Sequence, residues 1–174
     1  EILPDASFKI LDRFKDMTRL GNGVFATKRL SDEAMSRALD VLKTLVTLAR
    51  NKGFDRIVAV ATSAVREAKN GGDFVSLLME QAGLRVKVIS GTEEARLIFL
   101  GVKHSIALPD GPTLVVDIGG GSVELIVGNR DGLIHGKSLK LGAIRLAEQC
   151  LPKTPPSESM MRALKQVVLT ELRD

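Results

Sequence analysis

VVDIGGGSVELIVG, residues 115–128, sets three consecutive glycines between two apolar, β-branched runs, with one acid before them and another after. Each run reads as a strand, so the glycines make the connection between two strands of a packed sheet. Glycine reaches φ > 0 and, lacking Cβ, lets phosphate oxygens approach main-chain N–H groups. On this reading Gly119, Gly120 and Gly121 form an anion cradle, with the Ser122 hydroxyl as a further donor. Asp117 and Glu124 flank the cradle, and carboxylates beside a bound phosphate repel it unless Mg²⁺ bridges them. The alternative is a glycine-rich hairpin with solvated acids, but both acids cap apolar strand segments rather than a polar surface run. The motif is neither a GxxxxGK phosphate loop nor a GxGxxG turn.

Upstream, the chain follows a different grammar. Residues 7–13 alternate as a strand. Ser31, with Asp32 and Glu33 after it, is placed to cap a helix whose apolar positions recur to Ala49, and Gly53 supplies the stop. Residues 57–61 form an almost unbroken apolar run, which predicts a parallel strand covered on both faces. A helix over 70–81, a strand over 85–89 and a helix opening at Ser90 follow, with Ser90 and Glu93 at capping-box spacing. This α/β alternation with a parallel component stops near the PDGP segment, 109–112. Beyond it come strands over 113–117, 123–127 and 133–141 with hairpin-like spacing, then helices over 143–149 and 158–172. The expected organisation is one unit over 1–110 and a second starting at 111 and running to 174.

Composition narrows the chemistry. The apolar fraction is 44% without Tyr or Trp and with six Phe, so the core is aliphatic and base-stacking platforms for single-stranded nucleic acid are lacking. Two His and one Cys exclude a thiolate-rich zinc cluster and an internal disulfide supplied by this chain alone. No apolar run approaches the ~18 residues of a spanning helix, so a soluble protein of a reducing cytoplasm is expected, without nucleic-acid or membrane partners. The net charge of +4 suits an anionic small partner.

Two further residues carry candidate chemistry. Glu94 lies in the first turn of the helix opening at Ser90, where acids commonly serve the helix dipole. It shares a side with Leu97, Ile98 and Gly101, so a semi-buried carboxyl with a raised pKa, able to take a proton from water, is the functional alternative. Arg66 follows a strand ending in Thr62 and Ser63, where open α/β sheets bind ligands; it reads either as a phosphate clamp or as a surface cap. Arg96, Lys137 and Lys140 are weaker phosphate candidates.

The stretches RLGNGV, ATSAVREAKN, VISGTEEARLIFLGV, VVDIGGGSVELIVG and SLKLGAIRL, in this order, resemble the exopolyphosphatase and guanosine pentaphosphate phosphohydrolase family. The resemblance implies an actin-like (ribonuclease H-like) two-lobed fold, with the first lobe lacking its opening hairpin and the second incomplete. It implies release of orthophosphate from the end of inorganic polyphosphate, with guanosine pentaphosphate hydrolysis as the alternative substrate reading and a noncatalytic polyphosphate sensor as the alternative class. Glu94 then takes the role of general base, Arg66 and Gly119 to Ser122 bind phosphate, and Asp117 and Glu124 serve the Mg²⁺, with a K⁺ requirement and a homodimer of the intact protein left open. The family's first phosphate loop, of DxGSNS type, has no counterpart in these 174 residues. The chain is therefore expected to be an internal piece, with little or no activity by itself.

Overall fold

The computed structural model describes residues 9–54 and 56–173. Its elements run α1 (Val24–Thr27), α2 (Asp32–Asn51), β1 (Ala59–Ala61), α3 (Ser63–Glu67), α4 (Gly71–Ala82), β2 (Val86–Val88), α5 (Gly91–Ser105), β3 (Thr113–Ile118), β4 (Val123–Gly128), β5 (Leu133–Leu139), α6 (Ala143–Cys150) and α7 (Glu158–Glu171). β1 and β2 form a parallel pair, and β3, β4 and β5 an antiparallel sheet in that order, so the fold is mixed α/β. None of the helices is long and apolar enough to cross a membrane among the described residues.

The helix signals act as the local chemistry requires. Ser31 is extended and its hydroxyl accepts from Ala34 N at 3.2 Å, satisfying an amide of the first turn of α2. Ser90 does the same for Glu93 N at 3.1 Å. The return half of that capping box is diverted, because the Glu93 carboxylate takes a bidentate pair from Arg96 at 2.7 and 2.8 Å. α4 ends at Gly83, whose φ of +60° lets its N–H reach back to Met79 O.

α2, α3 and α4 enclose the first core, built on Val24, Leu39, Val46, Phe74 and Leu78 against the inner side of β1 and β2. A buried amide joins its parts: Asn70 Oδ1 accepts from Leu30 N and its Nδ2 donates to Leu30 O, both at 2.9 Å. Asn70→Ala leaves both backbone groups without a partner in a dry site, so a loss of about 2–4 kcal/mol in chemical denaturation is expected.

Two strand expectations change. Residues 57–61 were expected to be covered on both faces, yet β1 holds only three residues, and Ile57, Val58 and Val60 are exposed at 41, 73 and 49%. α2 and α4 cover one side, while α5, the next helix in the chain, lies against β4 and β5 of the other sheet. Of the strand expected over 7–13, Ser7 and Phe8 lie outside the described residues, and residues 9–13, like those on to 19, are neither helix nor strand. That segment is tied instead to the end of α2, where Lys52 pairs with Asp12 and sits 5.4 Å over the Phe14 ring.

The three-stranded sheet has a different helix on each face. Ala95 and Phe99 of α5 pack on Ile126 and Val115. Val123, Leu125 and Leu139 face the other way, against Leu146 of α6 and Val168 of α7. Successive strand residues alternate between these two surfaces, as the pleat dictates. Glu124 therefore shares the α5 side with Ile126, although it is a charged residue in the middle strand.

Candidate active site

The β-sheet register aligns Asp117, Glu124 and Ser138 in one row, at the end of the sheet where α5 begins. Glu124 is 1% exposed and accepts from Ser138 Oγ at 2.7 Å, whereas Asp117, on the edge strand, is exposed. α5 approaches the row closely because Gly91 has no side chain: a Cβ there would lie 2.5 Å from Ser138 Cβ.

One turn into α5, Glu94 meets Arg66 of α3. Arg66 Nη1 donates to Ile89 O at 2.8 Å and to Glu94 Oε2 at 3.0 Å, in a pair whose side chains are 24% and 15% exposed. Burial pushes the Glu94 carboxyl above its ordinary value; the Arg66 hydrogen bond opposes that, and the Glu124 charge pushes it up again. Arg66 and Glu94 thus come from the helices that precede and follow β2 in the chain, and Glu124 is near enough to act on Glu94.

The triple-glycine turn owes its shape to close packing. None of Gly119, Gly120 and Gly121 adopts a left-handed φ, so the expected need for φ > 0 does not explain them. A Cβ on Gly121 would come within 2.3 Å of Ser63 Oγ and 2.4 Å of the Phe25 ring, and one on Gly120 within 3.0 Å of Ile144. From the other side Gly142 presses on the turn, where a Cβ would sit 2.3 Å from the Gly121 main chain.

The turn's carbonyls are all engaged. Gly119 O accepts from Ala143 N at 2.9 Å, Gly120 O from Ile144 N and Arg145 N at 2.9 and 3.1 Å, and Gly121 O from Arg145 Nε at 2.7 Å. In a trans peptide the C=O and the following N–H point in opposite directions. With three successive carbonyls drawn to the start of α6, the amides of Gly120, Gly121 and Ser122 are turned to the opposite side, an arrangement that suits an anion.

Cavities open beside the turn. One, of about 380 Å³, is lined by Arg66, Gly91, Thr92, Ser122, Ser138 and Lys140. Another, of about 290 Å³, is lined by Arg19, Phe25, Thr62, Ser63, Gly120 and Gly121. Of the predicted residues, Arg66 and Ser122 line the larger cavity, Glu94 is held by Arg66 and feels the Glu124 charge, Gly120 and Gly121 line the smaller cavity, and Asp117 is exposed beside Glu124 in the sheet. Lys137 and Lys140 also border the larger cavity, while Arg96 stays on the surface with Glu93.

Sequence reasoning passed over Ser138, Glu67, Gly142 and Arg145. Arg145 is 2% exposed, pairs through Nη2 with Glu67 and lies 4.2 Å over the Phe25 ring. Burial raises the Glu67 carboxyl, but the Arg145 hydrogen bond and charge outweigh it, and the group ends below its ordinary value. A signal for Arg145 existed in the helical spacing of Leu141, Arg145 and Glu148, which sets two charged residues on an apolar side.

Among the described residues no group of three or more His, Cys, Asp or Glu side chains could hold a metal ion. Asp117 and Glu124, in direct register, are a pair of hard oxygen donors. Such a pair suits Mg²⁺, which commonly takes one or two carboxylates and completes its shell with water and substrate phosphate.

Fold and site define a mixed α/β chain in which a glycine turn and an acid–arginine pair adjoin a cleft bordered by Lys137 and Lys140, with a buried acid acting on the carboxylate of the pair. The profile of the Ppx/GppA phosphatase family matches residues 3–174, and the chain belongs to that family. It is similar to an exopolyphosphatase from Cytophaga hutchinsonii, with 31% identity and a TM-score of 0.91 over 99% of this chain and 55% of that one. An exopolyphosphatase-like protein shares 33% identity and a TM-score of 0.89 over 94% of this chain and 52% of its own. The Aquifex aeolicus member of the family shares 32% identity and a TM-score of 0.76 over 98% and 55%. The chain spans about half the length of these solved relatives.

Proposed function

We propose that the intact protein carrying this chain is an exopolyphosphatase, which hydrolyses the terminal phosphoanhydride bond of inorganic polyphosphate and releases orthophosphate. The observation that carries this reading is the half-buried Arg66–Glu94 pair, with the Glu124 charge acting on Glu94, beside a cavity lined by Arg66 and by Ser122 of the glycine turn. Family membership and the similarity to two proteins described as exopolyphosphatase or exopolyphosphatase-like support the choice of substrate.

In the proposed mechanism the terminal phosphoryl group lies against the amides of Gly120, Gly121 and Ser122, with Arg66 on a non-bridging oxygen. Water attacks the terminal phosphorus in line, the bridging P–O bond breaks, and the shortened chain leaves with the electron pair. Glu94 orients the water and takes its proton; its raised pKa, caused first by burial, makes its ionised form a stronger base than a solvated carboxylate. Asp117 and Glu124 would hold Mg²⁺, which supplies charge neutralisation for the phosphates. On this reading the intact protein is a cytoplasmic enzyme with an actin-like two-lobed arrangement, 1–110 contributing to one lobe and 111–174 beginning the other.

The test is orthophosphate release by the intact protein from long polyphosphate, guanosine pentaphosphate and ATP. Polyphosphate is expected to be the fastest substrate, with dependence on Mg²⁺. A preference for guanosine pentaphosphate reassigns the substrate within the same chemistry. Transfer that requires an acceptor, or tight polyphosphate binding without turnover, would overturn the hydrolase reading in favour of a kinase or a sensor.

A further inference from the structure

We propose that Arg145 is the positioning residue that aims the phosphate-binding amides of the triple-glycine turn and fixes them relative to Arg66. The inference rests on the phosphatase reading for the identity of the ligand, while its geometry stands on the contacts of Arg145 itself.

A guanidinium that is 2% exposed is costly to bury unless every arm of it is used. Here the fork is divided between two elements. Nε donates to Gly121 O at 2.7 Å, Nη2 bonds Glu67 Oε1, and the plane stacks 4.2 Å from the Phe25 ring. Glu67 is the last residue of α3 and directly follows Arg66. One side chain thus ties the turn to the helix end that carries the cleft's arginine.

The bond to Gly121 O has a directional consequence. The peptide between Gly121 and Ser122 is planar and trans, so holding its carbonyl toward Arg145 turns the Ser122 N–H the opposite way, and Ser122 lines the larger cavity. The two preceding carbonyls are held by backbone amides of α6, which any residue at those positions supplies. Only the third depends on a side chain. A lysine at 145 can reach Glu67 or Gly121 O, but a single ammonium cannot reproduce the planar fork that serves both. Loss of the fork frees that peptide to rotate, and displacement of a transition-state donor by about 1 Å lowers turnover by about 10²-fold.

The experiment compares the intact protein with Arg145→Lys and Glu67→Gln variants, measuring kcat and KM for polyphosphate, tripolyphosphate affinity by calorimetry, and thermal unfolding. Arg145→Lys is expected to unfold as cooperatively as the parent, to lose about 10- to 100-fold in kcat, and to bind tripolyphosphate about tenfold more weakly. Glu67→Gln, which leaves the Gly121 bond in place but removes the opposing charge, is expected to lose less. A purely structural role predicts lower thermal stability with kcat per folded molecule and tripolyphosphate affinity within about twofold of the parent, and that result overturns the proposal. Should Arg145→Lys not fold, Arg145→Gln, whose amide can donate to Gly121 O or to Glu67 but not to both, is measured in its place, and unchanged kcat and tripolyphosphate affinity there overturn the proposal equally. If the parent binds tripolyphosphate without hydrolysing polyphosphate, and Arg145→Lys weakens that binding, the phosphatase reading fails while the positioning role stands. Absence of tripolyphosphate binding by the parent removes both.

Discussion

Glu94→Gln in the intact protein is expected to lower orthophosphate release from polyphosphate by about 10³-fold, within the range a general base contributes, with tripolyphosphate affinity retained. Gln keeps an oxygen for the Arg66 donor, so the ion pair becomes a neutral hydrogen bond and the cleft keeps its shape. Stability should not fall. The folded-state pKa of Glu94 is raised above its ordinary value of 4.5, chiefly by burial, with the Arg66 bond opposing and the Glu124 charge adding to the rise. A carboxyl of that kind favours the fold while protonated, below 4.5, and loses the advantage as pH climbs through the raised value. Once ionised, Glu94 is therefore a burden on the fold, and a neutral Gln is expected to leave the unfolding midpoint unchanged or higher. For the parent the same shift sets the acid limb of kcat/KM above pH 4.5, because the base must be ionised to act. Near-normal release by Glu94→Gln, or a rate that holds level down to pH 4.5, removes Glu94 from the role.

Which parts of this arrangement were legible from residues alone follows from the range of the forces involved. Caps and stops act within one turn, so Ser31, Ser90 and Gly83 announced their helices and the structure places them as read. Hairpin strands pair with sequence neighbours, so β3, β4 and β5 were found to within a residue or two at their ends. The long-range packing was less visible. Nothing local says that α5 lies on the sheet that follows it rather than on the parallel pair that precedes it, and the exposed side of β1 is the consequence. The glycines of the turn were read from their conformational freedom, yet the φ angles are ordinary and the demand comes from Phe25, Ser63 and Gly142, which are distant in sequence. For the candidate site, Arg66, Glu94 and Glu124 were each singled out, but their meeting depends on α3, α5 and β4 coming together. Arg145 was missed because its partners, Gly121 and Glu67, are 24 and 78 residues away.

The contact that seats α5 on its sheet is expected to show the largest effect on stability. Phe99 is 1% exposed and fills the space over Gly128, where a Cβ would stand 2.3 and 2.4 Å from two atoms of the ring. Gly136 and Ala95 repeat the device one step along, at 3.3 Å, so the helix rides close to the strands on a track of small residues. Phe99→Ala removes the ring from a site that can collapse only partly, and a loss of about 3–5 kcal/mol in urea unfolding of the intact protein is expected. Gly128→Ala overpacks the same site and should lose about 1–3 kcal/mol. Because the new methyl group occupies volume the ring vacates, the double variant should be less damaged than the sum of the two, by at least about 0.5 kcal/mol. Additive losses would mean that ring and glycine are not in contact, and the seating of α5 would have to be redrawn. Glu94 stands five residues before Phe99 on the same helix, so a loosened α5 also shifts the carboxyl away from Glu124 and Arg66. Both single variants should consequently lower phosphate release per folded molecule, and the fall should shrink in the double variant in parallel with the recovered stability.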